Sequence, residues 1–83
     1  MVTELKQTVE LMNSSDYKER FKAEYYQLKI RYDKLHNMCE KWDKDELDFT
    51  PTCSREIYTR QLNAMKEYLT ILEERAVLEK VEL

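Results

Sequence analysis

Two stretches of this chain carry the same apolar spacing, and together they leave few folds open. Phe21, Tyr25, Leu28, Tyr32, Leu35, Cys39 and Trp42 follow one another at steps of 4, 3, 4, 3, 4 and 3. Tyr58, Leu62, Met65, Leu69, Leu72 and Ala76 repeat the alternation. Steps of three and four put side chains on one face of an α-helix, so each stretch predicts a long helix with one apolar seam. In an antiparallel pair, residues whose numbers sum to 97 lie opposite. Phe21 then meets Ala76, Tyr25 meets Leu72, Leu28 meets Leu69, Tyr32 meets Met65, Leu35 meets Leu62 and Cys39 meets Tyr58. Large residues face small ones at the ends, as close packing requires.

The signals between the seams agree. Asp16, with Glu19 three residues on, reads as an N-cap and capping pair, and Ser14-Ser15 breaks what precedes it. Asp43 to Cys53 holds four acids, one lysine and the Thr50-Pro51 pair, which disfavours helix. That segment is the connection, with Leu47 and Phe49 expected to fold back over the open end of the core. The chain contains no glycine, so no position takes a positive φ cheaply and strands joined by tight turns are hard to build. Val2, Leu5, Val9 and Met12 are spaced for a short leading helix, with Thr3 as candidate cap. It is too short to stand alone in water. The expected architecture is therefore all-α: one domain over residues 1–83, with helices at about 3–12, 16–43 and 54–80 and a loop at about 44–53. It is an antiparallel, coiled-coil-like helical hairpin with a short N-terminal helix.

Two facing helices bury one stripe each, and this chain has more. Ile57, Ala64, Tyr68, Ile71 and Leu78 lie beside the second seam, and Ala23, Tyr26 and Ile30 lie away from the first. The leading helix covers about half of that surplus. Exposed apolar stripes usually mark an interface, so homo-oligomerisation is expected to complete the fold, with Tyr26, Ile30, Tyr68, Ile71 and Leu78 as interface residues. The alternative is a monomeric three-helix bundle closed by the leading helix and the C-terminal tail.

No catalytic arrangement emerges. His36 is the only histidine and no serine lies near it in sequence. Without glycine there is no phosphate-cradling loop. Glu73 and Glu74 point to different faces of a helix and read as solvated surface. Cys39 is a seam residue and Cys53 a loop thiol near a helix start; two cysteines and one histidine do not make a zinc site. No metal, cofactor or enzymatic activity is expected. A formal charge of −3 argues against a nucleic-acid backbone binder, and no apolar run is long enough to span a membrane. Residues 1–13 lack the pattern of a signal peptide, which points to a cytoplasmic protein with reduced thiols.

One cluster suggests a ligand. Six basic residues and three acids fall between Lys18 and Lys34, interleaved with Phe21, Tyr25, Tyr26 and Tyr32. Aromatic faces beside cations suit a flat, phosphorylated molecule. Arg20, Tyr25, Tyr26 and Lys29 are the candidate ligand-binding residues, although Tyr25 and Tyr32, as seam residues, also read as core.

The stretches DYKERFKAEYYQLKIRYDKL (16–35) and LDFTPTCSREIYTRQLNAMKEYL (47–69) resemble a family of small, uncharacterised crAss-phage-related phage proteins. The resemblance covers roughly residues 12–77 and rests on the F-x-P-T-C string and the tyrosine-rich helix before it. Members often have proline after that cysteine, where this chain has Ser54. The resemblance implies a phage accessory protein made in a bacterial cytoplasm, a context in which counter-defence is a frequent role. The expectation is a binding protein that sequesters a nucleotide immune signal. The alternative is an inhibitor that docks an exposed helical face on a host protein; a virion assembly role has no particular support.

Overall fold

The computed structural model describes residues 2–83. They form a 3-10 turn at Leu5–Thr8 running into a short helix, α1 (Val9–Met12), then two long helices, α2 (Tyr17–Asp43) and α3 (Arg55–Glu79). No strand occurs among the described residues. The molecule measures 43 × 24 × 19 Å, and its long dimension is that of α2, 27 residues rising about 1.5 Å each.

The α2/α3 hairpin is antiparallel, and four of its cross-helix contacts fall within a helical turn of the register read from the seams, while Tyr68–Glu24 and Arg75–Tyr17 are offset from it by five residues. Tyr17 donates to Glu79 Oε1 at 2.7 Å, and Tyr25 donates to Glu73 Oε2 at 2.9 Å. The Arg75 guanidinium lies 5.0 Å above the Phe21 ring, and Trp42 meets Tyr58 edge-on at 5.9 Å. Burial along the seam is uneven. Phe21, Tyr25, Leu69, Leu72, Ala76 and Val81 form the buried cluster, whereas Leu35, Tyr58, Leu62 and Met65 are only half-buried. The tail after α3 adds cover at the end away from the loop, where Val81 packs into the cluster; in the loop half of the seam Cys39, 1% exposed, is the residue that is buried.

The leading segment departs from the expected helix over 3–12. It opens as a 3-10 turn because Thr8 Oγ1 donates to Leu5 O at 2.7 Å and tightens that turn. Its N-cap is Glu4, not Thr3; the Gln7 side chain accepts from the amides of Thr3 (2.7 Å) and Glu4 (3.0 Å). Thr8, 1% exposed, is the buried polar residue of the core, and Gln27 of α2 donates to its hydroxyl at 2.9 Å. At the start of α2, Asp16 caps the Lys18 amide at 2.9 Å as expected. Glu19 does not reach back to Asp16, however. Ser14 takes both roles, accepting from the Asp16 amide and donating to Glu19.

Both long helices end in a left-handed residue, Asp45 and Lys80, each at φ 58°. Glu46 N donates to Lys41 O at 2.8 Å, and Val81 N donates to Ala76 O at 2.9 Å. These are Schellman closures with a side-chain-bearing residue where glycine is usual. The second one turns Val81 back into the core, where it is 6% exposed. Arg55 closes the connection, forking onto Asp43 at 3.0 and 3.1 Å, and holds that carboxyl below its ordinary range. Leu47 is half-buried against α2, but Phe49 is 52% exposed and does not fold over the core as expected. Cys39 is buried, Cys53 is exposed and both thiols are free.

Candidate functional site

The surplus apolar residues of α2 are covered within the chain. Ala23 and Ile30 are 2% and 7% exposed, because the leading segment lies across that face of α2. Ile30, expected at an oligomer interface, is instead an interior residue. Tyr26 is half-buried beside it. The equivalent stripe on α3 stays largely open: Tyr68, whose hydroxyl donates to Glu24 of α2, and Ile71 and Leu78 are 43%, 45% and 81% exposed.

Where the extended residues Val2 and Thr3 pass α2, and Leu83 returns from α3, they enclose a cleft of about 460 Å³. Ile30, Tyr25 and Tyr26 supply its apolar part, and Lys29, Asp33, Lys34 and Asn37 its polar part. The two tyrosine rings stand edge to face, 5.3 Å apart at 80°. This geometry fixes the Tyr26 ring as one wall. The Tyr25 hydroxyl is turned to Glu73, and burial, with that hydrogen bond, pushes its pKa up to about 12. Tyr25 is therefore a neutral donor already engaged, offering a ligand its ring and not its hydroxyl. Lys29 is spent in part on Asp33, at 3.0 Å. Lys34 takes part in none of the ion pairs among the described residues. The cleft thus combines an apolar floor, an aromatic wall, two ammonium groups and one side-chain carboxylate.

Three of the four candidate ligand residues, Tyr25, Tyr26 and Lys29, come together here. Arg20 does not. It lies on the other flank of α2, its Nη1 donating to Ser14 O at 2.9 Å and its guanidinium 6.0 Å from the Tyr17 ring. There it borders a shallower groove with Met12, Leu28, Arg31 and Tyr68. Arg20 and Lys29 are nine positions apart, which places them on different faces of a helix. The cleft also contains residues that the basic-aromatic pattern did not single out, Lys34 and Asn37. Following one helix face from Tyr26 at steps of 4, 4 and 3, through Ile30 to Lys34 and Asn37, would have found both. Nothing local announces Val2, Thr3 and Leu83, which arrive through tertiary packing.

Among the described residues no group of histidine, cysteine, aspartate or glutamate is placed to hold a metal ion. Among the described residues no helix is long and apolar enough to cross a membrane. A family model described as Sequestin matches residues 15–78, which takes in both long helices and their connection. No curated protein and no solved structure matches the chain. The match covers most of the length, and the chain belongs to the Sequestin family.

Proposed function

We propose, proceeding from membership of the Sequestin family, that this chain is a phage counter-defence protein acting in the cytoplasm of a bacterial host. It binds a small nucleotide immune signal in the Tyr26–Lys29–Lys34 cleft and withholds it without chemical change. The family name supports a binding or sequestering role. The observation that carries the ligand class is the cleft itself: an aromatic wall and two ammonium groups over an apolar floor. A base stacks on the Tyr26 ring at about 1–3 kcal/mol per contact. Lys34, free of a carboxylate partner, meets a phosphate by a charge-assisted hydrogen bond. Asn37 offers both an acceptor and donors to a base edge.

Thermal unfolding against a panel of linear and cyclic nucleotides tests the reading. A nucleotide at 100 times its dissociation constant adds about 2.7 kcal/mol to stability. Lys34→Glu should abolish the shift, and the bound compound should be recovered unaltered after the protein is denatured. Absence of a shift with every nucleotide overturns the proposal and leaves the protein-binding inhibitor, for which the uncovered face of α3 is the supporting observation.

A further inference from the structure

The uncovered face of α3 has a regular structure of its own. Ile57, Gln61, Ala64, Tyr68, Ile71, Arg75 and Leu78 alternate at steps of 4 and 3, the rhythm of the buried seam displaced by one residue; Tyr68 and Arg75 form the edge nearest α2, where they reach Glu24 and Phe21. Ile57, Tyr68, Ile71 and Leu78 are 47%, 43%, 45% and 81% exposed. Charge along α3 is polarised. Up to Lys66 it carries Arg55, Arg60 and Lys66 against Glu56; beyond, it carries Glu67, Glu73, Glu74 and Glu79 against Arg75. A parallel neighbour of the same sequence would set like charge on like, and an antiparallel one sets basic on acidic.

We propose that α3 pairs antiparallel with α3 of a second copy of this chain across the Ile57–Leu78 stripe. A two-fold axis near Lys66 sets Ala64 of each copy against Tyr68 of the other, small against large. It also brings Arg60 of each copy to Glu74 of the other. Neither Arg60 nor Glu74 takes part in the ion pairs among the described residues, whereas Arg55 and Arg75 are committed to Asp43 and Glu79. Such a two-fold, self-complementary contact is the commonest form of self-association. The ligand cleft is lined by no residue of α3, so pairing leaves it open and the dimer holds two independent sites.

Sedimentation of the full chain at tens of micromolar tests the pairing, and a dimer is expected. Ile71→Glu places unpaired charge in the contact and should raise the dissociation constant by about 100-fold while the helical circular dichroism is kept. Arg60→Glu should weaken the dimer several-fold, and Arg60→Glu combined with Glu74→Arg should restore it. A monomeric wild type overturns the proposal and frees the face for a different protein. A double charge reversal no tighter than the single one overturns the antiparallel register, even if Ile71→Glu fails to fold. Any nucleotide shift seen with the wild type should persist in the Ile71→Glu monomer, which separates this pairing from the cleft reading.

Discussion

Leu72, fully excluded from solvent, sits where the seam of α3 meets the buried aromatics Phe21 and Tyr25. Truncation there removes apolar contacts and leaves a void that two rigid helices cannot collapse. Leu72→Ala should lower unfolding free energy by about 2–5 kcal/mol, measured by urea titration. Tyr25 contributes differently. Its phenol is held neutral in the fold to about pH 12 against an ordinary 10. The unfolded chain therefore releases that proton first, and stability is full below pH 10 and falls between 10 and about 12. Tyr25→Phe should cost about 1 kcal/mol at neutral pH and flatten part of this alkaline slope. Glu79 runs the other way. Hydrogen bonds from Tyr17 and Arg75 hold its pKa below the ordinary 4.5, so its contribution is present above that value and is lost as acid protonates it.

At the scale of elements, the two long helices were legible in the sequence because seam, cap and loop signals agreed over more than twenty residues each. The leading segment was legible only as apolar spacing. Its 3-10 entry depends on the Thr8 hydroxyl meeting both Leu5 O and Gln27, and the second partner is nineteen positions away. Thr8→Val keeps the volume and removes that bridge; the segment should loosen, with amides of residues 5–12 exchanging faster than those of α3. Absence of glycine did not exclude positive φ. It moved two such positions onto Asp45 and Lys80, because a Schellman closure satisfies terminal carbonyls that would otherwise lack partners. A left-handed non-glycine residue costs roughly 1–2 kcal/mol, and part of that is returned by the greater freedom of glycine in the unfolded chain. Lys80→Gly should therefore raise stability by up to about 1 kcal/mol by chemical denaturation. Lys18 Nζ bonds the Lys80 carbonyl, a contact the substitution leaves in place.

The whole molecule divides its apolar surplus in two. The α2 share is buried by the chain's own beginning and forms the floor of a cleft, and the α3 share stays outside. Sequence spacing located both stripes, but it could not say which one the leading segment would cover, since the short helix fits either. Nearness in sequence, and not helix face, groups Arg20 with Lys29; for that reason Lys34, in the same basic run, falls outside the ligand cluster. The hairpin's uneven burial also governs how it comes apart. Trp42, the sole tryptophan, packs on Tyr58 at the loop end, where every seam residue but Cys39 is only half-buried. The buried cluster lies toward the opposite end, closed by Val81. Tryptophan fluorescence and far-ultraviolet dichroism therefore watch different ends of one rod. With rising urea the emission of Trp42 should shift before the helical signal falls, because a thinly covered end opens at lower free energy than the whole. That order of signals would mean that the hairpin unzips from its loop.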